Sequence, residues 1–153
     1  MLIIIDGPDG SGKSTLAKDF QKKTGFEIVH RSKPETQEEK DRMLEEYMAM
    51  GDKDLILDRS WYSEMVYGEV MRDESYISIY DMYKIESTIT NGVIIHCTDD
   101  VNKLWERCQS RGEDYIKSYD KLKLIKYKFE NIMHSKPHAL QVVRYTIGED
   151  FIV

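Results

Sequence analysis

Eight residues near the start of the chain, Gly7-Pro8-Asp9-Gly10-Ser11-Gly12-Lys13-Ser14, match the pattern G-x-x-x-x-G-K-[ST]. Glycines allow such a loop to curl so that successive backbone N–H groups point inward at phosphate oxygens. A helix that follows adds its positive N-terminal end. Within this pattern Asp9, Gly10, Ser11 and Gly12 shape the cradle, and Lys13 reaches the β and γ phosphates of a nucleoside triphosphate. The Ser14 hydroxyl holds Mg²⁺, and Thr15 is placed to touch the α phosphate. Average composition yields the bare pattern by chance in roughly one chain in two hundred of this length. Here it lies between a strand-like and a helix-like run, which is the context the chemistry requires.

A second group with chemical potential follows the apolar run Leu55-Ile56-Leu57, where Asp58-Arg59-Ser60 begins. An acidic residue at the end of a hydrophobic strand is where the Mg²⁺-linked carboxylate of such sites lies, so Asp58 is a metal candidate beside Ser14. The alternative for Asp58 and Arg59 is an ion pair capping a strand. A third group is Arg107 and Arg111, four apart on a helical pattern. That spacing puts both guanidinium groups on one face, where they repel unless an anion lies near them. A triphosphate would supply the anion; Glu106, Glu113 and Asp114 would supply it in a merely solvated helix.

These residues need a scaffold, and the pattern of the chain describes one. Short apolar runs at Leu2–Ile5, Phe26–Val29, Leu55–Leu57, Val93–Cys97 and Gln141–Tyr145 alternate with segments of helical period. The expected fold is therefore α/β: three layers, with a five-stranded, mainly parallel sheet between helices. Leu16, Ala17, Phe20 and Thr24 predict one face of a first helix, and Met43, Leu44, Tyr47 and Met48 that of a second. Later helices are predicted around Val101–Cys108 and Leu122–Met133, the latter ending before Pro137. The segment 60–90 reads as helical with a break near Arg72–Ser75.

Length and charge narrow the classes. The 153 residues predict a single domain over 1–153 with a short lid around 107–116. Apolar residues make up 41% and charged residues 33%, too apolar a balance for a disordered chain. Lys plus Arg number 22 against 28 Asp plus Glu, a net charge of −6, so no global positive field draws the protein to nucleic acid or membrane. The first apolar run ends at Asp6, too short for a signal core or a membrane span, and cytoplasmic residence is expected. Cys97 and Cys108 lack the spacing of a metal knuckle or a redox pair. The lysines at 117, 121, 123, 126 and 128 make a locally basic helix, either solvated or a nucleic-acid contact.

A guanine-specific switch is disfavoured, because Asn102-Lys103 is followed by Leu104 and Trp105 rather than by x-Asp, and no Gly stands third after Asp58. Taken together, Asp6 through Thr15, Asp58-Arg59-Ser60 and Ser63-Glu64-x-Val66-Tyr67-Gly68 resemble the thymidylate kinase and deoxynucleoside kinase superfamily of P-loop kinases, its small bacteriophage members most of all. That resemblance implies phosphoryl transfer from ATP with Mg²⁺ to a deoxynucleotide-type acceptor such as a thymidylate-like monophosphate. A deoxynucleoside, or a hydroxymethyl pyrimidine within DNA, is the alternative acceptor. A non-catalytic nucleotide-binding regulator is the alternative of another class. It also implies catalytic roles for Lys13, Asp58, Arg59, Arg107 and Arg111, with acceptor contacts from Arg59 and from Arg31 and Lys33 after the second strand. Thymidylate kinases carry Arg-Glu-Pro-Gly there, whereas this chain has Arg31-Ser32-Lys33-Pro34. Tyr67 either borders the acceptor base or packs in the core, as do Trp61 and Tyr62. A homodimer through the 60–90 helices is a further implication of the resemblance.

Overall fold

The computed structural model of the chain describes residues 1–31, 34–112, 116 and 118–151. The elements run β1 (Leu2–Asp6), α1 (Lys13–Thr24), β2 (Glu27–His30), α2 (Gln37–Met48), β3 (Leu55–Asp58), α3 (Trp61–Arg72), α4 (Ile79–Ser87), β4 (Gly92–Cys97), α5 (Val101–Ser110), α6 (Tyr119–His134) and β5 (Gln141–Tyr145). The five strands form one sheet in the order β2-β3-β1-β4-β5. Every neighbouring pair is parallel. The expected α/β sheet is present, and its pairing is parallel throughout rather than mainly so.

Strand periodicity sorts the apolar residues onto two faces. Ile3 and Ile5 of β1 join Ile56 and Ile95 under Leu16 and Ala17 of α1. Leu2 and Ile4 turn the other way and join Leu57 and Ile94 in a larger core with α2 to α6, where Trp61, Met82, Leu104 and Phe129 are fully buried. The sheet is thus a middle layer with α1 on one side and the remaining helices on the other. All five residues of β1 are buried, and burying each of its four aliphatic side chains contributes about 1.5–3 kcal/mol.

Burial on both faces, expected of the strands generally, is complete for β1 but not at the edges. β2 and β5 have a strand on one side only, and their residues are half-buried or exposed. Thr24, expected on the buried face of α1, is exposed and its hydroxyl donates to Phe20 O at 2.8 Å, because the helix stops one residue later at Gly25, whose φ is 76°.

Helix starts follow local chemistry. Thr36, Ser60, Ser78, Asp100 and Ser118 cap α2 to α6 by accepting a first-turn N–H. The predicted break in 60–90 falls between Arg72 and Ile79: Asp73 closes α3 at φ 59°, and Ser78 with Asp81 forms a capping box that starts α4. Among the described residues no helix is long and apolar enough to cross a membrane. In α6, Lys128 pairs with Glu69 of α3 at 2.7 Å.

The strand order turns back at β1, and the crevice outside the carboxyl end of such a strand is where α/β sheets place ligands. The register sets Ile5 beside Asp58, so the carboxyl ends of β1 and β3 bring Asp6 and Asp58 to that edge of the sheet.

Candidate active site

The loop from Gly7 to Gly12 leaves β1 through a space only glycine fits. A Cβ on Gly7 would lie 2.0 Å from the carbonyl oxygen of Cys97 in β4. Gly12, at φ 87°, caps α1 with no side chain on the first-turn N–H groups. An uncapped, inward-facing helix start is what an anion needs. Lys13 is nearly buried and its ammonium donates to Gly7 O and Pro8 O, both at 2.9 Å. Burial pulls its pKa down, an effect that an arriving phosphate would offset. Ser11 Oγ donates to Pro8 O at 2.6 Å, tightening the same turn.

Asp6 anchors this loop to α3. Its carboxylate is fully buried and accepts from Gly7 N at 2.9 Å, Ser60 N at 3.0 Å, Ser60 Oγ at 2.8 Å, Ser63 N at 3.0 Å and Ser63 Oγ. Burial pushes its pKa up, while Ser63 and the other donors favour the charged form. No sequence pattern gives Asp6 a role of its own. Its only local signal was a carboxylate closing an apolar run.

Ser14 Oγ donates to Asp58 Oδ2 at 2.9 Å, which joins the two residues expected to organise Mg²⁺. Asp58 Oδ1 is buried and has no partner among the described residues. A hydroxyl and a carboxylate with an orphaned oxygen form a hard oxygen donor set, which fits Mg²⁺. His30 Nδ1 stands 3.6 Å from Asp58 Oδ2.

Arg59 adopts φ 72°, a left-handed conformation that costs a residue with a Cβ about 1–3 kcal/mol. Its N–H donates to Ile5 O at 3.0 Å, holding the turn. The turn aims the guanidinium at Asp9, 2.6 Å away, and over the Tyr67 ring at 5.5 Å. Tyr67 is 5% exposed, packs edge-on against Phe129, and its hydroxyl accepts from Asp9 N at 3.0 Å. Tyr67 thus packs beneath the phosphate loop. Trp61 and Tyr62 are also fully buried and pack on one another at 5.1 Å.

The two arginines of α5 part company. Arg107 donates to Asp99 Oδ2 at 2.7 Å and to Gly10 O at 3.0 Å, so it fastens the phosphate loop to the end of β4. Arg111, the C-cap residue of α5, lines a cavity of about 330 Å³ with Lys13, Ser14, Thr15, His30 and Arg59. Gly112 follows at φ 66°, the helix stop expected of it. Residues 113–115 of the proposed lid lie outside the described residues.

A second cavity of about 430 Å³ adjoins β2 and α2, lined by Val29, His30, Arg31, Pro34, Met43 and Glu46 among others. Arg31 forms an ion pair with Glu46, and its guanidinium lies 5.9 Å from the Tyr47 ring centre. Lys33, the other expected acceptor contact, lies outside the described residues. His30 borders both cavities. The sequence reading passed over it, since nothing local marks a histidine as the meeting point of two clefts.

No protein-family profile matches the sequence. The chain is 30% identical over 122 residues to the SPbeta prophage-derived uncharacterized protein YorR of Bacillus subtilis, spanning 78% of this chain and 74% of YorR. The crystal structure of Bacillus subtilis YorR in complex with phosphorylated GDP superposes with a TM-score of 0.83 at 25% identity, over 97% of this chain and 87% of that one. Deoxyadenosine kinase from M. mycoides, solved with dCMP and dCDP, superposes with a TM-score of 0.68 at 18% identity over 98% and 92% of the two chains, a likeness of fold. The expected kinship with phage proteins and the deoxynucleoside kinase fold are both present, and the chain belongs to the family of the prophage protein YorR.

Proposed function

We infer that the protein is an ATP-dependent phosphotransferase that carries the γ phosphoryl group of Mg·ATP to a small acceptor of the deoxynucleoside or deoxynucleotide class. The observation that carries this reading is the adjacency of two cavities. One is walled by the phosphate loop, the other by β2 and α2, and they share His30. A phosphate loop serving a binding function alone needs only the first. YorR, solved with phosphorylated GDP, supports a nucleotide as ligand.

In this scheme catalysis is positioning and charge neutralisation. Lys13 exchanges its loop carbonyls for β and γ oxygens, and the uncapped N–H groups of α1 receive the rest of the phosphate charge. Ser14 and Asp58 would hold Mg²⁺, which when bound would supply positive charge against the triphosphate. Arg111 faces the same cavity and neutralises the transferring group. Arg107 acts differently: by holding Gly10 O it keeps the loop in shape. Arg59 and Asp9 line the phosphate-loop cavity as an ion pair that opens to admit the transferring phosphoryl group and the acceptor oxygen.

One observation favours a deoxynucleoside over a monophosphate as acceptor. Among the described lining residues of the second cavity, the one cation, Arg31, is already neutralised by Glu46, and Glu39 adds a further negative charge. An uncharged nucleoside enters such a cleft without the repulsion that a dianion meets. Incubation with labelled ATP and separate panels of nucleosides, monophosphates and DNA distinguishes the acceptors. Label in a nucleoside or monophosphate, dependent on Mg²⁺ and lost in Lys13→Ala, is the expected result. Label in DNA alone, or tight ATP binding without turnover on any acceptor, would overturn the reading.

A further inference from the structure

Outside both cavities, β4 and α6 bring three metal-ligating side chains together. His96 comes from β4, and Glu130 and His134 from α6, where a spacing of four residues places both on one side of the helix. One ligand atom from each residue lies within 4.8 Å of the other two. His96 is fully buried, stacked on Phe129 with ring centres 6.3 Å apart, and its Nδ1 lies 2.8 Å from His134 Nε2. Its Nε2 is buried and without a partner among the described residues.

The carboxylate is already oriented. Glu130 Oε1 accepts from Arg144 Nη1 at 2.6 Å, and Arg144 is the strand neighbour of His96 in β5. Outer hydrogen bonds of this kind fix the ligating carboxylates of metal sites, and the second oxygen stays available. The His96–His134 contact uses one proton between two nitrogens, whereas a metal would engage a lone pair on each.

We propose that His96, Glu130 and His134 form a binding site for a borderline divalent transition metal of the Zn²⁺ class, clamping α6 to β4. Two imidazoles and a carboxylate with no thiolate suit Zn²⁺, Co²⁺ or Ni²⁺, while Mg²⁺ prefers an all-oxygen set. Metal–nitrogen bonds of about 2.0–2.1 Å in a tetrahedral site require the two nitrogens to separate to roughly 3.3 Å. His134 is exposed in the last turn of α6, where that half-ångström adjustment is small and a fourth position faces water. Arg144 places a positive charge beside the site, so binding is weaker than at a closed structural zinc site. The metal binds the folded state and raises its melting temperature.

The test uses the full chain, treated with EDTA and desalted, titrated with Co²⁺ while visible absorbance is followed. The expected result is one equivalent bound with the intense ligand-field bands of four-coordinate Co²⁺, and a Zn²⁺-dependent rise in Tm. His134→Ala takes away the partner of the buried His96 Nδ1 and so lowers the metal-free Tm, but it also weakens binding at least about tenfold and abolishes the Zn²⁺-dependent rise, which a purely structural role would not do. Glu130→Gln weakens binding in the same direction. Absence of intense bands in the parent protein overturns the proposal. So does a titration unchanged in His134→Ala but reduced in Ser14→Ala, which would place the ion at the phosphate loop.

Discussion

The phosphate loop and the described residues of β2 and α2 wall adjoining cavities, yet they are held in different ways. The phosphate loop is fastened from three directions: Asp6 grips its first N–H, the Tyr67 hydroxyl takes the N–H of Asp9, and Arg107 takes the carbonyl of Gly10. Most of it is buried. The neighbouring cleft rests on an edge strand and a helix, and the charged pair described in it, Arg31 with Glu46, is about one-third exposed on each side. A buried cradle, fastened on three sides with its helix N–H groups left open, is preorganised for a ligand part that never varies, the triphosphate. A half-open cleft whose polar groups pair with each other adapts by changing side chains and leaves the fold intact. Conserving charge chemistry in one and selectivity in the other is the division this geometry supports.

The most severe way to break the contrast is to remove the charge from the cradle. Lys13→Ala is expected to fold normally and lose turnover by on the order of 10³-fold, read as ADP release at saturating ATP. Arg111→Met should lower kcat on the order of 10²-fold with little change in Tm, since its side chain lines the cavity from an exposed helix end, where a charged contact contributes little to stability. Arg107→Met should separate from it. Asp99, 6% exposed as a side chain, loses its partner and Gly10 O loses a donor, so stability falls by about 1–3 kcal/mol in denaturant titration and KM for ATP rises. Equal effects of the two variants on Tm would dissolve the distinction between a fastening and a transferring arginine.

A milder change sharpens the other half. Arg31→Met should raise KM for a monophosphate acceptor by about tenfold and for a nucleoside acceptor by less than about twofold, while leaving KM for ATP within twofold, because its ion pair with Glu46 faces only the second cavity. The size of the shift therefore reports the acceptor.

The smallest expected effect is a control at a buried pair that lines neither cavity. His138 and Glu86 are 3% and 1% exposed as side chains and lie 3.0 Å apart. Burial alone would lower the imidazole pKa, but hydrogen bonds to Glu86 and to Ile132 O raise it above 6.5 overall. The protonated pair therefore stabilises the fold fully below about pH 6.5, and that contribution is lost as pH climbs through the raised value. His138→Gln should flatten this decline in urea midpoints above about pH 6.5, with catalytic constants unaffected.

The glycine pattern, Lys13 and Ser14 were legible because a phosphate cradle is built from consecutive residues, so spacing alone encodes it. The five strands were legible for a similar reason, as runs of apolar residues at a short period, and their bounds differ from expectation by a residue or so. Even the break after Arg72 follows from local capping chemistry. The left-handed turn at Arg59, by contrast, has no glycine to announce it, and it exists because Arg59 N reaches Ile5 O across the sheet.

Sequence by itself therefore determined the chemistry of the loop, the alternation of strands and helices and the presence of a carboxylate at the end of β3, all properties of neighbours in the chain. Tertiary structure alone decided that Asp6 would bind Ser60 and Ser63, that Arg107 would fasten Gly10 across a separation of 97 residues, and that His30 would stand where two cavities meet. Those pairings depend on strand register and helix packing, which are set by the summed burial of dozens of side chains and not by any local pattern.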